Sequence, residues 1–215
     1  MMRRTTGFTL IEVLVAMTVM AVMAMMAWQG VDGIVRARDA NQGRLDQTLR
    51  LNSVIGQWEQ DLGSIQDSGV VPPFACDGST VRLTRRAEGG MQVVAWALRP
   101  DTAAASWWRW AGPIVTTVGE LQDSWLRTQQ FQGGEPGQLR ALEGLSGWQV
   151  YSYRAEWANC QSTGDVAPPA PPATPISGGV PTVRAALPKG VRIVLTFAPG
   201  SGQNGSLTRD YLLTP

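Results

Sequence analysis

The sequence predicts an α+β chain in which one long N-terminal helix, membrane-spanning in its first half, packs on an antiparallel β-sheet domain. Three observations carry that expectation. From Phe8 to Trp28 the only charged side chain among 21 residues is Glu12, and at 1.5 Å per residue that stretch makes about 31 Å of helix, close to the roughly 30 Å of a bilayer's hydrocarbon core. Beyond it, Val31, Ile34, Val35, Leu45, Leu49, Val54, Ile55, Trp58, Leu62 and Ile65 recur largely at three- and four-residue steps with Arg and Asp between them, the period of an amphipathic helix. After Asp67-Ser68-Gly69 and Pro72-Pro73 the pattern changes to short β-rich runs broken by turn residues.

The helix is expected from about Phe8 to about Ser64, residues 8–28 in the membrane and 29–65 as its amphipathic continuation. Gly30, Gly33, Gly43 and Gly56 each cost it about 1 kcal/mol relative to alanine. Gly30 and Gly33 stand where the helix leaves the bilayer, which predicts either a bend there or a close approach of neighbouring helices. Residues 66–215 are left for one β-rich domain. Val81–Arg85 alternates strictly, and Gln92–Leu98, Trp107–Trp110 and Gly147–Trp157 also read as strands. In the last of these Trp148, Val150 and Ala155 fall out of phase, which points to a bulge. Glu120–Gln132 fits a short helix or a loop equally well. Val191–Phe197 and Ser206–Leu213 pair naturally as a hairpin across a Gly/Asn-rich loop. The proline-rich segment 167–181 reads as a polyproline-like insertion.

Composition removes several function classes. The chain has no histidine, so a Ser-His-Asp triad and every histidine-containing zinc site are excluded. Two cysteines cannot build a cysteine-only zinc site, and no clustered Asp/Asn loop supports calcium; neither metal nor cofactor is expected. The formal charge of +1 falls to −1 without Arg3 and Arg4, so no basic surface points to nucleic acid. Those two arginines precede the apolar run. The positive-inside rule therefore puts the N-terminus in the cytoplasm and the rest across the membrane, which in a bacterium means a single-pass inner-membrane protein with a periplasmic C-terminal domain. Cys76 and Cys160 lie 84 positions apart. In an oxidising compartment a disulfide is their natural reading, two separate buried small residues the alternative.

An acidic side chain within a membrane helix costs about 2.5–3.5 kcal/mol on insertion scales, so Glu12 needs a reason to be there. A secretory signal is cut after its apolar stretch, whereas here the small residue stands before it. A cut between Gly7 and Phe8 would remove residues 1–7 and keep the helix. With Arg3-Arg4 ahead of it, Gly7-Phe8-Thr9-Leu10-Ile11-Glu12 resembles the prepilin signal of type IV pilins and type II secretion pseudopilins. The resemblance implies processing by prepilin peptidase, N-methylation of Phe8, and a Glu12 carboxylate that pairs with a newly exposed N-terminal amine as a subunit moves from lipid into a filament. An ordinary signal anchor with a stray acidic residue is one alternative. A cut after Ala24 is another, but Glu12 would then interrupt the apolar core.

Further along, Leu83-Thr84-Arg85, Val93–Leu98, Trp107-Trp108-Arg109, Leu142–Tyr151 and Leu187–Ile193 follow in an order similar to the J-type minor pseudopilin of type II secretion. Trp28–Val35 is similar to that subtype's exit from the membrane helix. The resemblance implies a helix packed on two curved antiparallel sheets. It also implies a non-enzymatic tip subunit that helps start assembly, with I-type and K-type minor pseudopilins and the major pseudopilin as partners, and contacts to secreted substrates or the secretin. The cysteine pair and the 167–181 insertion depart from the subtype's pattern. A minor pilin of a type IV pilus or competence system shares the N-terminal motif and is the nearest rival. A membrane-anchored carbohydrate-binding module, with Trp107, Trp108 and Trp110 as a stacking platform, is a rival of a different class; tryptophans filling a core or an interface are the plainer reading. An anchored hydrolase would need a carboxylate pair, and no Asp/Glu spacing marks one.

Overall fold

The computed structural model describes residues 9–102, 104–129, 136–163 and 187–213. Gly7, Phe8 and the proline-rich segment 167–181 lie outside the described residues. The elements run α1 (Leu10–Gly63), β1 (Phe74–Cys76), β2 (Thr80–Ala87), β3 (Gly90–Pro100), β4 (Ala105–Ala111), α2 (Val118–Gln129), β5 (Gln138–Tyr153), β6 (Trp157–Asn159), α3 (Cys160–Thr163), β7 (Gly190–Phe197) and β8 (Ser206–Leu212). By contacts the chain divides into two units, one ending at Leu49 and one beginning at Arg50. The expected α+β architecture, a long helix packed on an antiparallel sheet, is what the chain adopts.

In the first unit every described residue is exposed and helical from Leu10 onward. The helix is unbroken through Gly30, Gly33 and Gly43, and a Cβ at any of the three would meet nothing within 4 Å. The glycines therefore neither break α1 nor make room for any other described residue of this chain.

In the second unit, the last turns of α1 bury Leu51, Ile55, Trp58, Asp61 and Leu62 against the sheet. Full burial of a large apolar side chain stabilises by about 1.5–3 kcal/mol, so these four apolar residues anchor the helix strongly. Trp58 lies at the centre, its ring centroid 5.5 Å from that of Trp96 and 5.4 Å from that of Trp107. Trp148 extends the cluster from Trp107 at 6.0 Å.

The sheet order is β1-β2-β3-β4-β5-β7-β8, all antiparallel, with β6 beside β5. The two curved sheets expected from the resemblance are thus one continuous eight-stranded sheet. The reason is β5, 16 residues long, whose first half pairs with β4 and whose second half pairs with β7. Register shifts fall between Trp107 and its neighbours on the β4 side and between Leu145 and Gly147 on the β7 side. Each extra residue bends and twists the strand, which wraps the sheet around α1. Gly144 sits at this bend with φ 75°, and a Cβ there would come within 2.5 Å of Ser201 Cβ. Gly144→Ala should therefore cost about 1–2 kcal/mol from the left-handed backbone alone, with the clash added; urea unfolding followed by tryptophan fluorescence measures it.

The other face of the β2–β4 region carries α2, where Leu121 and Trp125 pack on Val93, Ala95 and Trp110. Covered on both sides, β3 needs apolar residues at successive positions, which explains Val93-Val94-Ala95-Trp96-Ala97. It also bears on the rival reading of Trp107, Trp108 and Trp110 as a stacking platform. Trp107 faces the α1 core and Trp110 the α2 core, both buried, and Trp108 is half-buried with the Arg140 guanidinium 6.0 Å from its ring centre. A sugar-stacking platform needs open ring faces, and these rings fill the interior instead.

Candidate assembly site

The first described residues of α1 hold the one charged group of its apolar segment. Thr9 stands just before the helix, and its backbone N–H and its hydroxyl both donate to Glu12 Oε2, at 3.0 and 2.8 Å. This is the Thr-x-x-Glu capping arrangement, in which a helix-initial carboxylate reaches back to an amide that has no intrahelical partner. The same device opens α2, where the Thr117 hydroxyl donates to Glu120 Oε2 at 2.7 Å and the Glu120 N–H donates to Thr117 Oγ1 at 3.4 Å. At α2 the cap is solvated and ordinary. At α1 it sits at the head of a segment with mean hydropathy 2.3, long and apolar enough by length and composition to cross a membrane. There it holds the carboxylate with two donors and places negative charge at the positive end of the helix dipole.

Around the cap, Leu10, Ile11, Val13, Leu14 and Met17 all present exposed apolar side chains. Glu12 is thus a lone anion in an open hydrocarbon surface, held by Thr9 alone among the described residues. The site offers an exposed carboxylate, set among apolar side chains, to an incoming cation. Thr9 is not among the site residues expected from the sequence above, although the Thr-x-x-Glu spacing before an apolar run is its signal there.

A second group escaped the sequence entirely. Asp61, near the end of α1, is fully buried and accepts hydrogen bonds from three strands beneath it, β2, β3 and β4. Arg85 Nη1 donates to Oδ1 at 2.8 Å, Arg109 Nε and Nη2 to Oδ2 and Oδ1 at 2.7 and 2.9 Å, and the Trp96 indole N–H to Oδ2 at 2.9 Å. Gln57, one turn back, adds a fifth at 3.1 Å. Arg85 also grips Gln92 Oε1 at 2.7 Å, which passes the connection on to the Gly112 carbonyl. An ion pair this dry is sensitive to geometry, so it fixes the rotation of the last turns of α1 on the sheet.

The cysteines lie in the same core. Cys76, at the end of β1, and Cys160, at the start of α3, are both buried members of the cluster that includes Trp58, Trp107 and Trp148. Among the described residues no group of three or more Cys, Asp or Glu side chains is disposed to hold a metal ion.

A comparison with curated proteins finds no match to this chain. Residues 2–28 match the prokaryotic N-terminal methylation motif, the prepilin-type signal, and this match, on the segment that contains Glu12, supports placing the chain in the pilin and pseudopilin superfamily.

Proposed function

We propose that this protein is a minor pseudopilin of the J type, a structural subunit at the tip of a type II secretion pseudopilus. The observation that carries the reading is the capped Glu12 carboxylate at the head of an otherwise uncharged, membrane-length apolar segment, with Gly7 and Phe8 just before Thr9 in the sequence. A free membrane anchor has no use for that charge; a subunit that must leave lipid and find a neighbour's amine does. The order of strand motifs from Leu83 to Ile193 favours the J type within the superfamily. On this reading prepilin peptidase removes residues 1–7, Phe8 becomes the N-methylated first residue, and the second unit lies in the periplasm. I-type and K-type minor pseudopilins pack on the exposed apolar residues of the first unit, Ile34, Val35, Leu45 and Leu49 among them. The role is structural rather than enzymatic.

Processing is the first test. The membrane-extracted chain should begin at methylated Phe8 by intact-mass measurement, and Gly7→Val should leave the precursor inserted but uncut, because a peptidase must approach the backbone closely at that glycine. A native N-terminus at Met1 would sink the pseudopilin reading. Co-purification with I- and K-type partners is the second. Recovery with a type IV pilus or competence minor pilin instead would move the protein to that system. Position at the tip predicts low abundance, so a copy number equal to the major subunit in purified filaments would overturn it.

A further inference from the structure

Three strands, β2 to β4, stand between β1 and β5 in the sheet order, yet the end of β1 meets the segment that follows β5 and β6. The Cβ position of Gly78, two residues past Cys76, lies 3.6 Å from Gln161 Cα, the residue after Cys160. Gln161 is itself held by its side-chain N–H donating to the Trp148 carbonyl at 2.9 Å. Cys76 and Cys160 point from these touching segments into one buried cluster. β1 has only three residues and pairs with β2 alone, so it is a short edge of the sheet, and its continuation at Gly78 lies against Gln161 of α3.

We infer that Cys76 and Cys160 form a disulfide that staples this seam, fixing the short edge strand β1 to α3 and closing the curl of the sheet around the end of α1. A thiolate of one cysteine attacks a disulfide donor and displaces one donor thiol. The second thiolate then attacks the mixed disulfide, the Sγ–Sγ bond forms, and the second donor thiol leaves. Two electrons and two protons pass to the donor, so a small-molecule or protein disulfide in an oxidising compartment balances the step. Both sulfurs are buried once the domain is folded, so the bond forms during folding and resists the glutathione pool afterwards. Its presence also reports that the second unit faces the oxidising side of the membrane, independently of any assembly role.

The test takes the full chain from membranes, unfolds it in denaturant with N-ethylmaleimide and no reductant, and reads alkylation by mass spectrometry. Neither cysteine of the monomer should alkylate, and both should after reduction, with a Cys76–Cys160 linked peptide in the unreduced digest. Alkylation of both without reductant, or a linkage between two chains, overturns the inference. Cys76→Ala and Cys160→Ala supply a second readout: each alone should lower the urea midpoint as far as reduction lowers that of the wild type, and reductant should then shift neither variant further. A reductant-insensitive wild-type midpoint would overturn the stapling role even if the bond were present.

Discussion

Asp61→Ala should destabilise the second unit by about 3–5 kcal/mol, the cost of breaking a buried ion pair from one side. The side chains of Arg85 and Arg109 are only 18 and 12% exposed, so neither guanidinium can recover its hydration when the carboxylate goes, and the Trp96 N–H loses its acceptor as well. Asp61→Asn keeps the volume and one acceptor oxygen and should cost less, about 1.5–3 kcal/mol for the charged hydrogen bonds it weakens. Asp61→Leu combined with Arg85→Leu and Arg109→Met should recover most of the loss, since an apolar core of similar volume replaces a buried pair at little penalty. Urea unfolding of the three variants, with tryptophan fluorescence as probe, decides it. A change below about 1 kcal/mol in Asp61→Ala would mean that water reaches the arginines and that the cluster does not fix the helix.

The parts of the fold legible in the sequence are those whose signal is local. The helix expected from about Phe8 to Ser64 is observed from Leu10 to Gly63, and the last hairpin forms at the expected residues as β7 and β8. Where partners are distant the reading failed. Asp61 looked like a member of the polar face because Arg85 and Arg109 stand 24 and 48 positions away. The first half of β5 was hidden by its bulges: Leu142, Leu145 and Trp148 share one core at three-residue steps, a spacing that reads as helix until register shifts are admitted. The second half was legible but ended sooner than expected, because the strand stops at Tyr153 and Ala155 belongs to a bend. α2 fits a helix or a loop equally well in sequence although Thr117 and Glu120 cap it, since an amphipathic segment with one buried face is decided by the sheet beneath it. Glu12 needed no tertiary information. A charge in a membrane segment is conspicuous because the solvent, rather than a neighbour, makes it expensive.

Glu12→Ala should leave insertion and cleavage intact while reducing co-assembly about 10- to 100-fold, the equivalent of one charge-assisted hydrogen bond of about 1.5–3 kcal/mol. The variant removes a carboxylate that lipid disfavours, so the lone subunit is at least as comfortable in the membrane. What it loses is the partner proposed for a neighbour's N-terminal amine, together with the cap on Thr9. Two further substitutions separate those losses. Glu12→Gln retains a side-chain oxygen for the Thr9 N–H and hydroxyl but carries no charge, so it should keep the helix start and still fail to assemble. Thr9→Val removes the hydroxyl while keeping the backbone N–H and the charge, and should weaken the cap by about 0.5–2 kcal/mol with assembly largely preserved. Co-purified partner per unit of membrane-inserted subunit is the quantity to measure, at native expression. If Glu12→Gln assembles like the wild type, the carboxylate serves only to begin the helix, and the filament reading loses the observation that carries it. If Thr9→Val fails as completely as Glu12→Ala, the threonine is itself part of the contact, and the site at the head of α1 is a pair rather than a single charge.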